Sequence, residues 1–186
     1  MMKRLLMMSV LACTVMTANT LTTYAQEKTV MVGGAAMYPS KNIVQNAVNS
    51  KDHTTLVAAV KAAGLVGTLE SDGPFTVFAP TNEAFSKLPA GTVDNLLKPE
   101  NKQMLTSVLT YHVVPGRIDS KELMSKIKMG NGKAMLKTVQ GEELTFMMKG
   151  KHLWVMDAKG NKAMVTIKDV YQKNGVIHVI DTVLMP

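Results

Sequence analysis

Cysteine is almost missing from this chain. Cys13 is the single one among 186 residues, and it lies in the N-terminal apolar stretch. The remainder can form no internal disulfide and must fold by core packing, for which a chain of about 160 residues buries enough surface. Aromatic residues make up only 5%. No G-x-S-x-G, no H-E-x-x-H and no phosphate loop occurs, which removes the simplest hydrolase, metalloprotease and nucleotide-binding readings. No basic cluster is dense enough for a nucleic-acid footprint. No short internal repeat is present, and no apolar run after the first 25 residues is long enough for a membrane-spanning helix.

The N-terminus has the layout of a secretory leader. Lys3 and Arg4 precede an uncharged apolar run over 5–17, and Thr23-Tyr24-Ala25 places small side chains at the last and third-last positions before a cut. Cleavage after Ala25 and export to the periplasm or the extracellular space are expected. A second processing pattern competes: Val10-Leu11-Ala12-Cys13 resembles a lipobox, in which the cysteine is acylated and anchors the protein to a membrane. Removing residues 1–25 takes away Lys3 and Arg4 and no acidic residue. That leaves 21 − 2 = 19 bases against 14 acids, a net charge of +5. Such a charge attracts acidic surfaces only weakly.

Residues 26–41 carry little periodicity, and Gly33-Gly34 and Pro39 suggest an extended or loosely ordered arm. From Asn42 the pattern is first helical. Ile43, Val44 and Ala47 mark a short helix; Leu56, Val57, Val60 and Ala63 mark a second, capped by Thr54 or Thr55 and stopped by Gly64. Phe75 to Ala79 reads as a strand ended by Pro80, with Thr81 as the cap of the helix that follows. Further helices are expected from Thr92 and from Pro99, the latter with Met104, Leu105, Val108 and Leu109 as its buried stripe. Tyr111 to Val114 looks extended, Pro115-Gly116 turns the chain, and Asp119 or Ser120 caps a helix carrying Leu123, Met124 and Ile127. After Gly130 the pattern becomes strands, at 134–139, 144–148, 152–156, 163–170 and 176–184, with Lys149-Gly150-Lys151 and Asn174-Gly175 as hairpin turns. Helices first and a strand meander afterwards is the α+β pattern, in one domain over 42–186.

Four histidines stand in the chain: His53, His112, His152 and His178. No two have the close spacing of a zinc-binding helix, although a long-range site stays open. Met147, Met148 and Met156 near His152 raise soft-metal chemistry of the copper type. Strand alternation turns Met147 and Met148 to opposite faces, so core filling is the favoured account. A hydrolase reading would pair His112 or His178 with an acid such as Asp181. Tyr111 and His112 are singled out as an aromatic and polar pair. As strand neighbours they would point to opposite faces, one more buried than the other, either bonding nearby carbonyls or anchoring a partner.

Three blocks resemble the fasciclin (FAS1) family: Gly73-Pro74-Phe75-Thr76-Val77-Phe78-Ala79-Pro80-Thr81-Asn82-Glu83-Ala84-Phe85, Tyr111-His112-Val113-Val114-Pro115-Gly116, and Asn174-Gly175-Val176-Ile177-His178-Val179-Ile180-Asp181. The likeness runs from about Asn42 to Pro186. It implies a wedge-shaped β-sandwich flanked by helices, in an extracellular, periplasmic or surface-attached protein. It implies adhesion or binding to a protein or glycan at the cell envelope or matrix, with no cofactor and no catalysis. In animal members the tyrosine-histidine block is linked to integrin-type adhesion, which places the expected partner-binding residues at Tyr111 and His112.

Overall fold

The computed structural model describes residues 28–186, so the expected leader and Cys13 lie outside the described residues. Residues 30–37 form a small hairpin, β1 (Val30–Val32) and β2 (Ala35–Met37), whose Val32 and Met37 are buried. This corrects the expectation of a loose arm. The two glycines that suggested disorder, Gly33 and Gly34, both take positive φ, the backbone that a two-residue hairpin turn requires.

Seven α-helices and two strands follow before the meander. Helix α1 (Ile43–Ala47) starts from Asn42 with a reciprocal cap by Gln45. Helix α2 (Thr54–Ala63) ends at Gly64, whose φ of 75° supplies the left-handed stop. After α3 (Val66–Glu70) comes β3 (Phe75–Pro80), and then α4 (Asn82–Ser86), where the Thr81 side chain accepts from the Ala84 amide as expected. Helix α5 (Thr92–Leu96) precedes a 3-10 turn at Pro99–Asn101, which runs into α6 (Lys102–Tyr111). Met104 is 56% exposed, not part of the buried stripe, which is Leu105, Val108, Leu109 and Tyr111. A short strand β4 (Val113–Pro115) leads to α7 (Ser120–Met129), capped by Asp119. Burial of Leu123 and Ile127 leaves Met124 half-exposed on that helix.

The meander is β5 (Lys133–Lys137), β6 (Glu143–Lys149), β7 (His152–Met156), β8 (Lys162–Gln172) and β9 (Gly175–Ile180). Strand β9 stops at Ile180, four residues earlier than the apolar pattern suggested; Val183 and Leu184 are buried without being in a strand. The seven strands β3 to β9 form one mixed sheet in the order β4-β3-β9-β8-β7-β6-β5. Only β3 and β9 are parallel, and both are buried on two faces, which is why they read as continuous apolar runs.

The long strand β8 carries two register irregularities between Val165 and Val170, with Asp169 at φ 60°. Bulges of this kind bend a strand. Here the sheet curls until its two end strands approach, and the Val139 amide donates to the Val113 carbonyl at 2.8 Å. The result is a nearly barrel-shaped mixed sheet flanked by helices. Its apolar residues fall into two cores. One fills the barrel, with Phe78, Tyr111, Leu144, Phe146, Val155 and Ile180; the other lies between β3, β9 and the helical layer, with Val77, Ala79, Ile177 and Val179 facing α2 and α6.

Candidate functional site

Tyr111 and His112 are not strand neighbours. Tyr111 is the last residue of α6 and His112 is its C-cap in the right-handed helical region. The helix keeps going one residue longer than the apolar run suggested, because the cap amide of His112 still finds the Leu109 carbonyl at 3.1 Å. Both side chains are buried, Tyr111 at 0% and His112 at 3% exposure. The expectation of opposite strand faces with unequal burial is therefore corrected.

Each of the two side chains makes two hydrogen bonds to backbone, three of the four to segments far along the chain. The Tyr111 hydroxyl donates to the Glu143 carbonyl at 3.2 Å and accepts from the Ala158 amide at 3.0 Å. It thereby ties the end of α6 to the start of β6 and to the turn after β7. Burial raises its pKa, and the Ala158 amide opposes that shift. His112 Nδ1 lies 2.8 Å from the Val108 carbonyl, and its Nε2 is 3.1 Å from the Leu184 amide. A carbonyl only accepts and an amide only donates, so Nδ1 carries the proton and Nε2 is the bare acceptor. Burial pushes the His112 pKa down to about 4, with the Val108 carbonyl pulling the other way.

His178 has the opposite tautomer. Its Nε2 donates to the Ile118 carbonyl at 3.0 Å and its Nδ1 accepts from the Asp169 amide at 3.3 Å. The ring stacks on Phe78 with centroids 5.5 Å apart, and burial lowers its pKa. The bulge that exposes the Asp169 amide to this ring also aims the Asp169 carboxylate at the backbone and hydroxyl of Ser120, docking the start of α7. Asp181, the acid considered for a histidine-acid pair, accepts from the Met164 amide at 2.8 Å and lies 3.8 Å from the Lys87 ammonium. The ring nitrogens of His112 and His178 hold backbone groups, so the structure does not bring Asp181 to either ring.

His152 is exposed at the start of β7. It shares a shallow depression with Met124 and Met148, but Lys151 and Lys168 line the same hollow and oppose a cation there. Met147 pairs with Trp154 and Met148 with Leu153, but Met147 and Met156 are half-buried and Met148 is 37% exposed, which corrects the expectation that these methionines fill the core. Among the described residues no group of three or more histidine, cysteine, aspartate or glutamate side chains could hold a metal ion.

Three asparagines matter more than their turn or helix-start positions suggested. Asn174 is 4% exposed; it accepts from the Ile43 amide at 3.0 Å and donates to the Leu69 and Ser71 carbonyls at 2.8 and 2.7 Å. Asn82 accepts from the Thr55 amide at 3.0 Å and donates to the Lys51 carbonyl at 2.9 Å, so the start of α2 is capped from across the fold and not by Thr54 or Thr55. Asn46 is fully buried between Tyr38 and Gln172. Gly73 answers to the same network: with φ at 61°, an added Cβ would collide with the Asn174 carbonyl.

The model of the family described as "Fasciclin domain" matches residues 51–186. The chain belongs to the fasciclin family. It is 50% identical over 161 residues to Protein sll1483 of Synechocystis, covering 86% of this chain and 82% of that protein. It is 33% identical over 168 residues to the cell surface glycolipoprotein MPB83 of Mycobacterium bovis, covering 88% and 69%. The solved FAS1 domain pair from the insect cell adhesion molecule fasciclin I superposes with a TM-score of 0.69 at 20% identity, over 80% of this chain and 52% of that one, and this shows the shared fold. Two of the three blocks that carried the resemblance occupy the parallel pair: β3 and the helix cap after it, and the hairpin into β9. The tyrosine-histidine block closes the fasciclin barrel at the end of α6. Among the described residues no helix is long and apolar enough to cross a membrane.

Proposed function

We propose that this fasciclin domain is an exported, non-catalytic binding module that holds a protein or glycan partner at the cell envelope or matrix. The relatives' names support the general reading, one being a cell surface glycolipoprotein and one solved neighbour a cell adhesion molecule. The observation that carries the site is the contrast within 111–116. Tyr111 and His112 are anchored inside by four hydrogen bonds to backbone, three of them to segments far along the chain, while Pro115 emerges exposed and Gly116 half-exposed. On this reading Tyr111 and His112 hold the segment in place, and its outer end with Pro115 is what a partner meets. A rigid, pre-positioned edge lowers the entropy lost on binding.

The test uses immobilised protein and the envelope fraction of the source cells. Pro115→Asp is expected to keep the wild-type unfolding midpoint and to lower retention of the captured partner at least tenfold. Unchanged retention would sink the assignment of this edge. Intact mass of protein isolated from its own host tests export: a mass starting at Gln26 supports cleavage after Ala25, and a diacylglyceryl adduct on Cys13 supports membrane anchoring.

A further inference from the structure

The outward face of the meander carries apolar side chains where the solvent side of an antiparallel sheet normally shows polar ones. Alternation sends Ala134, Leu144, Phe146, Leu153, Val155 and Ala163 into the barrel core, all of them buried. Their strand neighbours Met135, Met147, Trp154, Met156 and Met164 therefore point outward, Met135 at 62% exposure and the other four half-buried. The registers bring them together. One cross-strand row runs Lys133, Met147, Trp154, Met164, and the next runs Met135, Thr145, Met156, Lys162. Paired side chains in such rows start about 5 Å apart, so four methionines and an indole form one patch over β5 to β8. A lysine ends each row, at opposite edges of the patch, and Lys149 Nζ stands 5.9 Å from the centre of the Trp154 ring.

Charge is concentrated on the same wall. Residues 133–168 hold seven lysines against three acids. One of those acids, Asp157, is buried and accepts with both carboxylate oxygens from Lys159, Asn161 and Met185. The rest of 28–186 is nearly balanced, with twelve bases against ten acids. An exposed apolar patch with a charged rim marks an interaction surface, and the sign of this rim calls for an anionic occupant. As the outer wall of a curled sheet the patch is convex, which fits a broad, soft occupant better than a slender one held in a cleft. Indole and thioether groups at headgroup depth, with lysine stems lying along them and ammonium heads held out, are what a peripheral protein presents to a bilayer. The negative surface potential of anionic lipids attracts such lysines.

We propose that the outward face of β5 to β8 docks on an anionic phospholipid bilayer, with Met135, Met147, Trp154, Met156 and Met164 entering the headgroup layer and Lys133, Lys149 and Lys162 meeting lipid phosphates. The surface uses none of residues 111–116, so it stands whether or not the Pro115 edge holds a partner. Trp154 is the single tryptophan of the chain, and its fluorescence reads this face alone. The protein for the test is the chain starting at Gln26, which keeps every described element and lacks the apolar leader. Vesicles of equimolar phosphatidylglycerol and phosphatidylcholine are expected to move the Trp154 emission saturably to shorter wavelength, and brominated acyl chains in the same mixture to quench it. Phosphatidylcholine alone should do neither. Lys133→Gln combined with Lys162→Gln should weaken binding roughly thirtyfold, and Met135→Glu about tenfold, with unfolding midpoints unchanged. Three results each overturn the proposal: an emission that saturating phosphatidylglycerol vesicles leave unmoved, cosedimentation with vesicles without quenching of Trp154, and a shift produced by soluble heparin but not by vesicles, which would assign the face to an acidic glycan.

Discussion

The two faces of the β3–β9 pair are buried by different means. On the barrel side the cover is sheet, and the filling is dense: Phe78 lies 5.1 Å from Phe146 and 5.5 Å from His178, and every polar side-chain atom of His178 and Tyr111 is bonded. On the helix side the cover is a two-stranded hairpin, the ten-residue α2 and α6 and the five-residue α1 and α3, and there a cavity of about 90 Å³ and the unpartnered His53 nitrogen are found. Strands joined in a ladder hold their side chains in fixed register. Separate helices, two of them only five residues long, meet the sheet at fewer points and leave gaps between their ends. The same two strands thus support a rigid interior on one face and an adaptable one on the other.

That contrast is sharpest under large-to-small substitution. Phe146→Ala, at full burial in the barrel, is expected to cost about 3–5 kcal/mol in chemical denaturation. Val57→Ala, half-buried beside the existing cavity, should cost under about 1 kcal/mol, because it removes a side chain that is only partly enclosed. Equal losses would erase the distinction between the two cores.

Acid should act next most strongly, and on both sides. His53, His112 and His178 all have pKa values below the ordinary 6.5 because burial disfavours the charged ring. The unfolded chain therefore takes up protons first as pH falls, and stability is lost below about pH 6.5. For His112 the loss continues to about pH 4 and amounts to about 3 kcal/mol, from a shift of roughly 2.5 units at about 1.4 kcal/mol each. Urea midpoints measured between pH 7 and pH 4 check this. His112→Gln should flatten the curve although it lowers the stability at pH 7. A midpoint that is flat across this range in the unsubstituted protein would contradict the neutral tautomers.

Smaller effects refine the boundary between the cores. Thr81→Ala removes a cap on the Ala84 amide and should cost about 1 kcal/mol; no change would show that the 3.3 Å contact carries little. Val57→Ile adds one methylene toward the cavity and should stabilise by at most about 0.8 kcal/mol, readable as a small rise in thermal midpoint. The same added methylene on the barrel side, as in Val155→Ile at 0% exposure, should destabilise instead.

Much of the architecture was legible along the chain. The apolar runs at 75–79 and 176–184 marked two strands, and Thr81, Asp119 or Ser120, and Gly64 marked helix ends, because caps and periodicity are properties of a few adjacent residues. The hairpin at 30–37 was not legible, since its strands have three residues each and gain their stability from burying Val32 and Met37. Tyr111 and His112 stood out in the sequence, but their place at a helix end was hidden: whether a helix runs one residue further depends on what receives its last side chains.

The order of elements after Asn42, the caps at Thr81 and Asp119, the turns and the family blocks follow from local chemistry that the amino-acid sequence states by itself. The curl of the sheet at Asp169, the tautomers of His112 and His178, the reach of Asn174 to Ile43 across 131 positions, and the gap beside His53 do not. Each depends on a backbone group or a void supplied by a segment far away in the chain, and only the folded chain brings those partners within bonding distance.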